Sequence, residues 1–137
     1  MTTVLFACVH NAGRSQMAAA LFEALADPAR ARALSAGTEP GERVHPEVVE
    51  VMRERGVDLS GNRPRRLTPE LASEAQVLVT MGCGDACPFV PGAEVLDWPL
   101  DDPRGRPIAE VRNIREAIER RVRALVSERG WGHPDRG

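Results

Sequence analysis

Two hydrophobic rhythms alternate along the chain. Residues 3–7, Thr3-Val4-Leu5-Phe6-Ala7, form a short continuous apolar run of the kind that fills the middle of a parallel sheet. Ala18, Leu21, Phe22 and Leu25 then recur at helical spacing, and Asp27-Pro28 ends that stripe. A second strand is expected around Ala33 to Ser35, followed by a Gly- and Pro-punctuated loop from Ala36 to Arg43. Val44, Val48, Val51 and Met52 make the next helical stripe, with Pro46 in its first turn and Gly56 at its stop. Val57 to Arg66 has no clear period and carries Arg63, Arg65 and Arg66, and Thr68-Pro69-Glu70 resembles the start of a short helix. Strands are predicted at Ala75 to Thr80 and Ala93 to Leu96, separated by a segment too rich in Gly and Pro for a long regular element. In the last helix Val111, Ile114, Ile118, Val122 and Leu125 share one face, and Gly130 closes it.

This alternation predicts a single α/β domain over residues 1–130: a three-layer arrangement with a four-stranded parallel sheet and helices on both faces. Residues 131–137 form a loosely held tail. Right-handed crossovers place all strand C-termini on one edge, where such sheets bind ligands. The loop after Phe6-Ala7, the Cys83 to Cys87 segment and the Asp101-Asp102 loop each follow a strand, so they converge there. Composition narrows the reading: 42% hydrophobic and 28% charged residues belong to a globular chain, and a net charge of −2 implies no general affinity for nucleic acid or membranes. All 18 cationic residues are arginine. Neither a membrane-spanning run nor a signal peptide is apparent, which points to the cytoplasm. Thiols stay reduced there, so Cys8, Cys83 and Cys87 have catalytic, redox or metal roles open to them rather than a static framework.

The chemistry concentrates in Cys8-Val9-His10-Asn11-Ala12-Gly13-Arg14-Ser15, a loop from the first strand into the first helix. A helix N-terminus offers unpaired N–H groups and the positive end of the dipole. The amides of Val9, His10, Asn11, Ala12, Gly13 and Arg14 can wrap a tetrahedral anion, Gly13 permits the curl, and the Arg14 fork can grip two oxygens. Cys8 at the mouth of such a site is expected to act as a thiolate nucleophile, with Ser15 donating a hydrogen bond to it. Met17 and Met52 read as packing residues. Trp98 is either a lid or packing, and His10 is either a contributor or a solvent-facing filler.

The Cys8-x5-Arg14-Ser15 loop on a first strand, with Asp102-Pro103 late in the chain, resembles the low-molecular-weight protein tyrosine phosphatase fold. Gln16-Met17-Ala18, Ser35-Ala36-Gly37 and the Cys83/Cys87-Pro88 pair resemble the arsenate reductases built on that fold, over Thr3 to Val126. The resemblance implies that Cys8 attacks arsenate, Arg14 and the loop hold the oxyanion, and Asp102 is the acid, with Asp101 its rival. It further implies a relay in which Cys83 attacks Cys8 and Cys87 attacks Cys83, the final disulfide being reduced by thioredoxin. No cofactor or metal is implied, and the chain is expected to be a monomer. Two features depart from the family. The shorter Cys83–Cys87 spacing leaves open a mycothiol, mycoredoxin or glutaredoxin-type thiol system. The family's potassium site would use Asn11 and Ser35, but Arg63 and Arg65 stand where a hydroxyl and a carboxylate belong. No potassium site is therefore expected, one of these guanidiniums standing in for the ion. A helical Cys83–Cys87 pair would hold its Cβ atoms roughly 5–6 Å apart, beyond the roughly 3.8 Å of a disulfide, so the segment must reshape on oxidation. The alternatives are a tyrosine phosphatase, which needs only Cys8, Arg14 and Asp102, and a non-catalytic oxyanion sensor.

Overall fold

Strand β1 (Thr2–Cys8) is buried on both faces from Thr3 onward because its successive side chains feed two separate cores. Val4, Phe6 and Cys8 face one, and Leu5 and Ala7 the other, as the period of two requires. In a computed structural model, which describes residues 1–82 and 92–133, β1 pairs in parallel with β2 (Ala31–Gly37) and β3 (Val77–Thr80), and β3 with β4 (Glu94–Asp97). The sheet order is β2-β1-β3-β4. The registers Cys8↔Gly37, Ala7↔Thr80 and Thr80↔Asp97 bring the four C-terminal ends to one edge.

Helices α1 (Arg14–Leu25), α2 (Pro46–Arg53) and α4 (Ile108–Arg129) cover the first face, and the short α3 (Pro69–Ser73) covers part of the second. Each boundary follows from local chemistry. Pro46 and Pro69 open α2 and α3, and the Thr68 hydroxyl accepts from the Leu71 N–H at 3.1 Å. Gly130, at φ +70°, ends α4 in the left-handed cap that glycine adopts without strain. Phe6, Phe22, Met17 and Met52 lie fully buried at the centre of the large core. Trp98 is buried against Phe6 with the Arg121 guanidinium over its ring, so it packs rather than forming a lid.

Helices α2 and α4 are clamped by Arg115, whose buried guanidinium donates to the Val51 carbonyl at 2.8 Å and pairs with Glu54 and Glu116. Hydrogen bonds from Arg112 and Arg115 hold the Glu54 carboxyl at a pKa of about 2. The start of the expected tail is tied down. The Asp27 N–H donates to the Trp131 carbonyl at 2.7 Å, Ala26 bridges Gly132, and Trp131 packs edge-on against Phe22. The reason is aromatic: a Trp directly after the Gly130 cap can close the end of the core. Among the described residues no helix is long and apolar enough to cross a membrane.

Candidate functional site

The loop between β1 and α1 is held from outside by its own carbonyls. The carbonyls of Cys8, Val9, His10 and Ala12 accept from the N–H groups of Thr38, Glu39, Gly41 and His45 at 2.7–3.1 Å. The Asn11 carbonyl accepts from Gln16 Nε2 at 3.1 Å. In a trans peptide the C=O of one residue and the N–H of the next point in opposite directions, and no peptide here is cis. Carbonyls drawn outward therefore turn the N–H groups of Val9 through Gly13 inward. The Asn11 N–H marks that direction, since it donates to Cys8 Sγ at 3.2 Å. Among the described residues, the N–H groups of Val9, His10, Ala12, Gly13 and Arg14 have no acceptor. They line a concavity at the start of α1, which has the geometry of an anion cradle.

Cys8 lies at the base of this cradle and is buried. Its Sγ is 2.9 Å from Ser15 Oγ, and the direction of that bond follows from its neighbours. The Arg65 backbone N–H donates to Asn11 Oδ1 at 3.0 Å, which fixes the Asn11 amide with Nδ2 toward Ser15 at 2.7 Å. Ser15 Oγ accepts that hydrogen, and Cys8 Sγ is the one other partner of the hydroxyl among the described residues, so the Ser15 hydrogen is directed at the sulfur when Cys8 is a thiolate. Asn11 sits at φ +50°, a left-handed conformation that asparagine tolerates better than most residues, and its side chain is wholly buried. Gln16 Nε2 also donates to Asn11 Oδ1 at 3.2 Å, and Asn62 Nδ2 donates to Gln16 Oε1 at 3.2 Å. One polar chain thus runs from Cys8 through Ser15, Asn11 and Gln16 to Asn62. Gly37 makes room for the loop: a Cβ there would stand 2.6 Å from the Val9 carbonyl oxygen.

Arg14 is the buried cation of the site. Its Nη1 donates to the Leu100 carbonyl at 3.1 Å, and its Nη2 lies 3.9 Å from Asp102 Oδ2. Gly82 lies directly against it, at φ +96°, and a Cβ there would stand 2.3 Å from Nη1. Asp102 is half-exposed, and its Oδ1 accepts from the Arg104 N–H at 3.0 Å in a tight turn. It is therefore both the turn residue and the carboxylate nearest Arg14. Asp101, its rival, is exposed and lines a separate pocket with Arg106 and Glu110. The structure thus brings together Cys8, Val9, His10, Asn11, Ala12, Gly13, Arg14, Ser15 and Asp102. Cys83 and Cys87 lie outside the described residues; Gly82, which precedes Cys83 in the chain, sits on Arg14.

Where the family's potassium site would use Ser35, Arg65 Nε donates to the Ser35 carbonyl at 3.0 Å. A cation placed on that carbonyl would meet the guanidinium, so these residues do not fit one. Three residues of the site carried no signal in the sequence. Leu100 acts through its carbonyl alone, His45 caps α2 with its backbone and not with its side chain, and Gly82 acts through the side chain it lacks. His10 Nδ1 lies 3.0 Å from the Glu39 carbonyl.

The profile of the low molecular weight phosphotyrosine protein phosphatase family matches residues 3–130. A Halobacterium salinarum protein provisionally named an arsenate reductase is 43% identical over 129 residues, covering 90% of this chain and 89% of that protein. The glutaredoxin arsenate reductase of Synechocystis is 32% identical over 131 residues, covering 93% of this chain and 98% of that protein. Among solved structures, the thioredoxin-dependent arsenate reductase of Corynebacterium glutamicum superposes with a TM-score of 0.80 at 41% identity. The match covers 93% of this chain, which spans 61% of that one.

Proposed function

The chain belongs to the low molecular weight phosphotyrosine protein phosphatase family, and from that premise we propose that it is an arsenate reductase. The observation that carries an oxyanion reaction is the set of inward N–H groups above the Cys8 sulfur. Arsenate is favoured over a phosphate ester by the names of relatives that match nine-tenths of the chain, and by the two further cysteines, Cys83 and Cys87.

The reaction begins with Cys8 Sγ attacking arsenic while the loop amides and the Arg14 guanidinium hold the equatorial oxygens. The leaving oxygen takes a proton from Asp102 and departs as water. Cys83 then attacks Cys8 Sγ; the S–As bond breaks with its electron pair going to arsenic, which leaves as arsenite. The Cys8–Cys83 disulfide passes to Cys83–Cys87 when Cys87 attacks, and Cys8 is regenerated. The reaction consumes one arsenate and two thiols, and gives one arsenite, one disulfide and one water. A dithiol protein of the thioredoxin type closes the cycle, with a mycothiol- or glutaredoxin-type system as the alternative. We place the enzyme in the cytoplasm, where a pool of reduced thiols can sustain the relay, and as a monomer.

Arsenite release with purified thioredoxin and mycothiol systems, run beside hydrolysis of an aryl phosphate, tests this reading. Arsenite should form with at least one thiol system. Aryl phosphate turnover without arsenite would instead make the chain a phosphatase. Asp102→Asn keeps an acceptor for the Arg104 N–H, so it should fold normally, lower turnover about 10²–10⁴-fold and leave oxyanion affinity unchanged. An unchanged rate would transfer the acid role to Asp101.

A further inference from the structure

His45 is tied to the anion loop twice. Its backbone N–H donates to the Ala12 carbonyl at 2.9 Å, and its ring packs on Gly13, where a Cβ would stand 3.5 Å from Cδ2. Pro103 crowds the same position, its Cγ 2.7 Å from it. The imidazole and the Pro103 ring, next to Asp102 in the chain, therefore both border the Cβ side of Gly13. It also lines a pocket of about 380 Å³ with His10, Glu42, Arg43 and Arg104. The Arg43 and Arg104 guanidiniums have no ion-pair partner among the described residues. This pocket borders the anion loop at His10 and carries two cationic side chains beside the Glu42 carboxylate.

We infer that His45 is a charge-balancing residue of the oxyanion site, neutral while the loop is empty and protonated once a tetrahedral dianion fills it. The inference rests on the oxyanion reading of the loop. The charged groups that face the ring are Glu47 from its own helix, Asp102 and Arg104 from the loop before α4, and His10 from the anion loop. Partial burial pushes the ring below the ordinary histidine value. Glu47 and Asp102 pull it up, and Arg104 and His10 push it down. The empty site thus sits on the neutral side at neutral pH, with its carboxylates too weak to offset burial. A dianion held by the Gly13 N–H adds negative charge close to the ring, whose Cδ2 borders that glycine. An opposite charge at that range raises a histidine by about one pH unit or more. By linkage, a proton taken up on binding makes the anion bind more tightly below the midpoint of the occupied site and gives no advantage well above it.

Sulfate is a suitable probe because it remains a dianion throughout the range needed. The full chain holds three histidines, His10, His45 and His133, so the His45 ring resonance is assigned as the one missing from His45→Gln. Titrated by NMR between pH 5 and 8.5, its midpoint should rise by about one unit when sulfate saturates the protein. In the variant, sulfate affinity should fall about tenfold at pH 5.5 and change little at pH 8. A structural role alone would lower affinity equally at both. A midpoint that stays put while sulfate shifts the loop amide resonances would overturn the inference and leave the oxyanion reading intact. Loop amides that ignore sulfate would overturn both.

Discussion

Cys8→Ser should lose arsenate turnover by at least about 10⁴-fold while retaining its affinity for arsenate within a few-fold. The split follows from how the loop is built. The groups that hold the oxyanion are backbone amides, and they are oriented by the outward bonds from Thr38, Glu39, Gly41 and His45 rather than by the sulfur. A serine hydroxyl can still receive the Asn11 N–H and face Ser15, so the cradle keeps its shape. Only the nucleophile is lost. Arsenite formation measured beside equilibrium arsenate binding separates the two, and joint loss of both would mean that the sulfur shapes the cradle.

Gly82→Ala should raise the arsenate KM about 10- to 100-fold. The added Cβ would sit 2.3 Å from Arg14 Nη1, and Nη1 is the atom held by the Leu100 carbonyl. Real Cβ contacts almost never fall below 3.0 Å, so either the guanidinium or the chain at residue 82 must move. The φ of +96° adds backbone strain for any residue with a Cβ. Displacing a charge-assisted bidentate grip costs roughly 1.5–3 kcal/mol, which is that range in affinity. Steady-state kinetics of a variant shown by circular dichroism to be folded is the check. A KM within twofold of the parent would mean that Arg14 does not depend on this wall.

The architecture was largely legible because it rests on periodicity. The unbroken run at Val4 to Ala7 and the stripe from Val111 to Leu125 each allow one burial pattern, and β1 and α4 have it. Boundaries were less legible: β2 extends from Ala31 to Gly37, beyond the Ala33-to-Ser35 core, because sheet pairing with β1 recruits residues without strong propensity. At the site, Cys8, Arg14 and Ser15 were visible because their side chains do the work. The outward carbonyls and the Leu100 oxygen were not, since any residue type can supply a carbonyl. Arg65 shows the limit from the other side. Its sequence position removes a ligand of the family's cation site, but that its guanidinium lands on the Ser35 oxygen follows only from the fold. Trp131 lay in what looked like a loosely held tail, and its ring against Phe22 is a tertiary contact that no local pattern announces.

The central claim is that Cys8 initiates a two-electron reduction of arsenate by the chain's own thiols. Fully reduced protein, freed of external reductant, mixed with excess arsenate and assayed for both arsenite and remaining thiols, tests it most directly. About one arsenite per chain should form with the loss of two of the three thiols, and Cys8→Ser should not react. Three thiols still titratable, with arsenate unreduced, would contradict it.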